Sequence, residues 1–217
     1  MVAPSRIGTW VECETKALHS PRVRGRLNAA RWVGILAHAK LAEETEPPTP
    51  DRLSFDHITP SASHADRQAA AIAAAARAAL DHADWTITAT EAPVGIDSDA
   101  RMDIVAWHPQ LECEAVIDLK TGSVAGGWLQ VGAYLEQIEQ VHEHHLVHAA
   151  GILTAPRVPL GRDVHATLEI RDGLSVMNAW IVWRRRIQHV EAGAATTRSP
   201  GRHCTSCSLQ NCPVRVS

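Results

Sequence analysis

The chain has 217 residues, of which 45% are apolar and 21% are charged. This composition excludes a disordered chain, and the length suits one sizeable core, so we expect a single domain over residues 1–217. The formal net charge of −3 excludes a protein that binds nucleic acid by bulk positive charge alone, although it does not exclude a local basic groove. No apolar run reaches the ~20 residues that a membrane helix needs, and residues 1–10 contain no apolar signal-peptide core, so we expect a cytosolic protein.

Two helices are predicted in the first part of the chain. The first covers residues 27–45 and ends before a proline cluster, and the second covers the alanine-rich residues 65–83. The pattern then predicts five strands, with an amphipathic helix at 127–143 between the third and fourth strands and a last helix at 173–191. The strands are predicted at 85–91, 102–107, 114–120, 146–154 and 165–170. The turn at 108–110 is too short for a parallel crossover, so the sequence favours an α/β fold with a mixed sheet.

The third predicted strand ends in Asp118-Leu119-Lys120, which carries two charged side chains on one face. An exposed strand end with a surface ion pair is the simpler interpretation of these residues. In the predicted hairpin, however, Asp103 at the start of the second strand lies opposite Asp118, so the two carboxylates can converge. Asp97 competes with Asp103 for this position; we prefer Asp103 because it opens a strand.

Converging carboxylates favour a hard divalent cation, Mg²⁺ or Mn²⁺. Such a cation can stabilise charge on a phosphate oxygen, and Lys120 on the same face can orient the attacking water, so the group fits phosphodiester hydrolysis. Gln130 and Tyr134 share one face of the following helix, which is otherwise typical of an ordinary amphipathic helix.

The order of Asp103, Asp118-x-Lys120 and Gln130-x3-Tyr134 resembles the PD-(D/E)xK nuclease superfamily, in its RecB-like branch. The resemblance implies a restriction-endonuclease-like core and spans roughly residues 10–213. It places Gly34-x3-His38 on the first helix and Glu91 at the end of the first strand. It implies that the metal is bound by His38, Asp103 and Asp118, and that the catalytic group is Glu91, Asp103, Asp118, Lys120, Gln130 and Tyr134. The family often has a glycine shortly before the metal-binding aspartate, where this chain has residues 100–102, Ala-Arg-Met, so the choice between Asp103 and Asp97 stays open.

Three of the five cysteines lie in the C-terminal segment, at Cys204, Cys207 and Cys212, and Cys13 lies near the start. This arrangement resembles the iron–sulfur nucleases, namely the AddB-type and the CRISPR-associated RecB-like exonucleases. The resemblance implies a [4Fe–4S] cluster on these four cysteines, which ties residues 1–26 and 192–217 together around a catalytic core at 27–191. A zinc site on the same cysteines, or on three of them with His203, is the alternative. Cys113 is interpreted as a small core residue.

Arginines precede and enter the first predicted helix, where they can pair with backbone phosphates or form a solvated charged face. They are Arg22, Arg24, Arg26 and Arg31. The resemblance implies a metal-dependent DNA exonuclease acting on single-stranded ends, in a repair, phage or CRISPR setting. The chain has no phosphate-binding loop and hence no ATPase or helicase of its own. It is therefore expected to act either alone or as a subunit beside a helicase, an integrase or a recombination protein. The alternative is a non-catalytic nucleic-acid-binding protein with a structural zinc site.

Overall fold

The computed structural model describes residues 7–14, 17, 29–42, 62–94, 100–141, 147–159 and 161–194. Within these ranges the helices are α1 Ile7–Glu12, α2 Ala29–Leu41, α3 Ala62–His82, α4 Gly127–Val141 and α5 Gly173–Glu191. The strands are β1 Thr86–Pro93, β2 Arg101–His108, β3 Cys113–Lys120, β4 Ala149–Thr154 and β5 Thr167–Asp172.

The five strands form one sheet in the order β1-β2-β3-β4-β5. Neighbouring strands are antiparallel except for β3 and β4, which are parallel and are connected in the chain through α4. A parallel pair needs such a crossover, whereas β2 and β3 are joined by a tight turn. The predicted α/β fold with a mixed sheet is confirmed, and each predicted element lies within a few residues of its observed bounds.

Helices cover both faces of the sheet. The first core joins α2 and α3 to one face, through residues such as Ile117 of β3 and Leu153 of β4. The second core joins α4 and α5 to the other face, through Val116 and Ile152. Because β3 is buried on both faces, its apolar residues form a continuous run, and Asp118 is a charged residue inside that run.

A third apolar cluster joins α1 to α4 and α5. Ile7 and Trp10 of α1 pack with Trp180 and Ile187 of α5. Close contact between α4 and α5 depends on Gly132, since a Cβ atom there would lie 2.6 Å from the Trp180 Cβ atom. No helix in the described part of the chain is both long enough and apolar enough to cross a membrane.

Candidate metal and catalytic site

The strand register brings three carboxylates into one row across the sheet. In the β1–β2 ladder, the pairs on either side of Glu91 place this residue opposite Asp103. In the β2–β3 ladder, Ile104 pairs with Ile117, so Asp103 and Asp118 are adjacent across the two strands. Residues directly opposite each other in an antiparallel pair have Cβ atoms about 5 Å apart, so the register alone concentrates negative charge at this point.

His38 of α2 meets two of these carboxylates. Its Nδ1 atom lies 3.3 Å from Oδ1 of Asp103 and 3.6 Å from Oε1 of Glu91. Burial lowers the pKa of His38, but the contacts with Asp103 and Glu91 outweigh it and raise the pKa to about 10. One ligand atom from each residue lies within 4.8 Å of the other two, so this half-buried group could hold a metal ion.

Asp118 is the most deeply buried charged residue that the structure describes, with 1% of its surface exposed. Its Oδ2 atom lies 2.7 Å from Nζ of Lys120. Burial raises the pKa of Asp118, and the nearby charge of Asp103 raises it further, while Lys120 acts in the opposite direction. Among the described residues neither Asp118 oxygen has a donor of good hydrogen-bond geometry, so Oδ2 is compensated by the Lys120 charge alone and Oδ1 lacks even that contact. A buried carboxylate oxygen without a donor is costly unless a cation or a water satisfies it.

A chain of hydrogen bonds links the strand ends to α4. The backbone N–H of Leu119 donates to Oδ2 of Asp103 at 2.8 Å, which fixes the carboxylate. Lys120 donates from Nζ to Oε1 of Gln130 at 3.0 Å, and Nε2 of Gln130 lies 2.6 Å from the Tyr134 hydroxyl oxygen and donates to it. Burial raises the pKa of Tyr134, so its hydroxyl stays protonated at neutral pH.

Two glycines allow the helices to approach these residues. A Cβ atom at Gly34 would lie 3.0 Å from Oγ1 of Thr121, so the α2 backbone comes close to the end of β3 one turn before His38. A Cβ atom at Gly127 would lie 3.3 Å from Cε of Lys120. The first turn of α4 can therefore rest against the lysine that it helps to orient.

The structure brings together the residues that the sequence analysis assigned to metal binding and catalysis, with one difference in how they are grouped. The metal ligands were expected to be His38, Asp103 and Asp118. The structure groups His38 with Asp103 and Glu91, whereas Asp118 faces Lys120. Arg31 lies exposed on α2, and Cys13 is half-buried after α1. The remaining assigned residues lie outside the described residues: Arg22, Arg24, Arg26, Asp97, Cys204, Cys207 and Cys212.

The sequence analysis missed two contributors at this site. The Leu119 amide that holds Asp103 is a backbone group, so no residue pattern reveals it. Arg101 donates to the backbone oxygen of Glu91 at 2.9 Å, and only the β1–β2 register shows this contact.

The two carboxylates, with a further buried carboxylate oxygen close by, are ligands that suit Mg²⁺ and Mn²⁺, and the imidazole is a common ligand of divalent transition metals. The residues present therefore fit a divalent metal ion. No protein-family model matches this chain, and no curated protein matches it either. The geometry of the site is thus the basis for its functional interpretation.

Proposed function

We propose that this chain is a metal-dependent nuclease of the PD-(D/E)xK type that hydrolyses phosphodiester bonds in DNA. The observation that carries the proposal is the position of Lys120. Its ammonium group lies against the buried carboxylate of Asp118, next to the group formed by His38, Glu91 and Asp103. An ammonium beside carboxylates that can bind a metal is the combination that phosphodiester hydrolysis needs.

The metal would be Mg²⁺ or Mn²⁺, held by His38, Asp103 and Glu91, with Oδ1 of Asp118 available as a further ligand. When bound, such a cation stabilises negative charge on the phosphate and lowers the pKa of a water molecule. The buried Oδ1 of Asp118 supports this role, because no hydrogen-bond donor among the described residues satisfies it.

Lys120 would orient the attacking water or stabilise the charge that develops on the phosphate. The Lys120 ammonium donates a hydrogen bond to Gln130 and lies in ion-pair contact with Oδ2 of Asp118. Since a lysine ammonium has three N–H donors, a further one can serve the water or a phosphate oxygen. Tyr134 and Gln130 would act as positioning residues, since their hydrogen bond holds the amide oxygen toward Lys120.

The proposed substrate is DNA with single-stranded ends, as the resemblance to RecB-like nucleases implies. Arg31 supports a phosphate-binding surface beside the site, because it is exposed on α2 and lies two helical turns, about 10 Å, before His38 on the same face. A helicase, an integrase or a recombination protein would be the partner in the cell.

The proposed [4Fe–4S] cluster uses Cys13, Cys204, Cys207 and Cys212. The packing of α1 on α5 supports it, because α5 is the last described helix and the C-terminal cysteines follow it in the sequence. The Glu14 carboxylate also accepts two hydrogen bonds from Arg186 of α5, at 3.0 and 2.9 Å.

The proposal is tested by digestion of labelled single-stranded DNA with the full chain, prepared without oxygen and supplied with Mn²⁺. We expect Asp118→Asn and Lys120→Met to slow cleavage at least about 100-fold, since each removes a charged group from the reacting centre. Asp81→Asn, at an exposed position on α3, is the matched control and should cleave at the wild-type rate. Wild-type cleavage by Asp118→Asn would show that the assignment is wrong. Parallel digestion of RNA tests the preference for DNA.

A further inference from the structure

An arginine and a tryptophan are stacked beside the proposed catalytic site. The guanidinium carbon of Arg171 lies 4.1 Å from the centroid of the Trp128 ring. Oε1 of Glu169 accepts hydrogen bonds from Nε and Nη2 of the same guanidinium, at 3.0 and 2.7 Å. The Arg171 side chain is 50% exposed, although the ring beneath it is half-buried. The guanidinium is thus fixed over the ring, with its outer side open to solvent.

The strand register relates this stack to Asp118. Asp118 pairs with Ile152 of β4, and Ile152 pairs with Glu169 of β5. Because Arg171 lies two residues after Glu169, it points to the same face of the sheet. Neighbouring strands are 4.7–4.9 Å apart, so β5 lies about 10 Å from β3. Arg171 itself pairs with Ala150, which is level with Val116, so it is displaced by two residues, about 7 Å along the strand, from Asp118. Trp128 directly follows Gly127, where a Cβ atom would lie 3.3 Å from Cε of Lys120.

We propose that Arg171, supported by Trp128, forms a subsite for one nucleobase of single-stranded DNA next to the bond that is cleaved. This proposal rests on the proposed nuclease function. Proteins that bind single strands stack bases on aromatic rings and on arginine guanidinium planes. Here the base stacks on the outer side of the guanidinium, and Trp128 and Glu169 keep that plane in position.

The hydrogen-bond donors of Arg171 agree with this role. Arginine has five N–H donors, and Glu169 engages two of the nitrogen atoms, so a donor remains for the phosphate that follows the stacked base. The same side chain can therefore contact both the base and the backbone, which a lysine cannot do because it has no plane on which a base can stack.

Binding of the full chain to labelled single-stranded DNA in EDTA tests the subsite without cleavage. We expect Arg171→Gln and Arg171→Lys to raise the Kd about five- to hundredfold, the range that corresponds to the loss of one stacked base. Trp128→Leu should weaken binding as well, and Trp128→Phe should restore most of it. The matched controls are Arg185→Gln, an exposed arginine of α5, and Trp107→Leu, a 39% exposed tryptophan of β2.

A set of single-stranded DNAs, each with one abasic position at a different place, separates the contribution of base stacking from that of phosphate charge. One abasic position should weaken binding of the wild type but not that of Arg171→Gln. The proposal is overturned if Arg171→Gln and Arg185→Gln bind with the same Kd, or if no abasic position distinguishes Arg171→Gln from the wild type. Arg171 is exposed on an edge strand, so its variants should fold, and circular dichroism checks this. If binding depends on Arg171 but Mn²⁺ supports no cleavage, the subsite stands and the nuclease proposal fails.

Discussion

Nζ of Lys120 lies 2.7 Å from Oδ2 of Asp118, two residues earlier on the same strand, although Asp118 is almost fully buried. Alternate residues of a strand point to the same face, so the sequence spacing alone creates this pair. Its burial makes it different from a surface ion pair, because the lysine is the cation that compensates a carboxylate removed from water. Loss of the lysine alone therefore leaves a buried charge without its cation, so the pair matters for stability as well as for the proposed chemistry.

Removal of Lys120 should destabilise the metal-free protein. We expect Lys120→Met to lower the free energy of unfolding by about 2–4 kcal/mol, because it leaves the buried Asp118 carboxylate without its cation. Adding Asp118→Asn to that variant should recover part of the loss. Urea denaturation in EDTA measures both effects.

Lys40 provides the matched control for this prediction. It lies 2.7 Å from Asp66, the same distance as in the buried pair, but the Asp66 side chain is 57% exposed. An exposed pair contributes about 0–1 kcal/mol, so Lys40→Met should change stability little. Equal losses for the two lysine variants would mean that the burial of Asp118 does not matter.

Glu91 adopts a backbone conformation that a glutamate rarely takes, with φ at +48°. Such a conformation costs about 1–3 kcal/mol, and it is held here at a proposed metal ligand. Glu91→Gly should therefore unfold at a temperature no lower than the wild type, although it loses Mn²⁺-dependent cleavage. Differential scanning calorimetry measures the unfolding temperature of Glu91→Gly, and the DNA digestion assay measures its cleavage rate.

Glu112 is the matched control, because it has φ at +49° in the turn between β2 and β3, where no metal is proposed. A glycine there relieves the same backbone strain without removing a proposed metal ligand. We expect Glu112→Gly to match or exceed the thermal stability of the wild type and to keep full activity. If Glu91→Gly cleaves DNA as fast as Glu112→Gly, then Glu91 has no role in the site.

The convergence of Asp103 and Asp118 could be predicted because it follows from a short hairpin, which fixes the register of β2 and β3. The order of the strands and helices could also be predicted, since each element has its own apolar periodicity. The position of His38 depends instead on how α2 packs near the end of β3, and only the resemblance suggested its role. The grouping of His38 with Glu91 in place of Asp118 could not be foreseen, because the unusual φ of Glu91 leaves no mark in the sequence.

The contribution of Asp172 to stability should depend on pH. Its Oδ2 atom accepts a hydrogen bond from the backbone N–H of Ser175 at 2.7 Å and caps α5. The hydrogen bond with the Ser175 side chain, together with this backbone contact, lowers the pKa of Asp172. A carboxylate whose pKa is lower in the folded state stabilises the protein above its unfolded pKa of about 4, and the effect is lost as the pH falls. Asp172→Ala should therefore lower the melting temperature at pH 7 and do so much less at pH 3. Asp163→Ala, at an exposed position, should change it at neither pH.

The cysteines give the last prediction, because Cys113 and the helix before Cys13 pack into different cores. Cys113 begins β3 and packs against the core on the α2–α3 face, whereas Cys13 follows α1, which packs on α4 and α5. Only Cys13 is thus on the side of the last helix, from which the chain leads to Cys204. We expect Cys13→Ser to lose bound iron and Cys113→Ser to keep it, as measured by metal analysis and by absorption of anaerobically purified protein.

The metal content of these variants also decides the kind of cluster. Joining Cys13 to the C-terminal cysteines closes a long loop. The entropic cost of this closure grows only slowly with loop length, and metal–ligand bonds can offset it. Loss of iron in Cys13→Ser should therefore make both ends of the chain more sensitive to protease, without a change at β3. Retention of full metal by Cys13→Ser and its loss from Cys113→Ser would contradict the ligand set. One zinc per chain without iron would replace the iron–sulfur cluster by a four-cysteine zinc site, because zinc accepts the same four ligands.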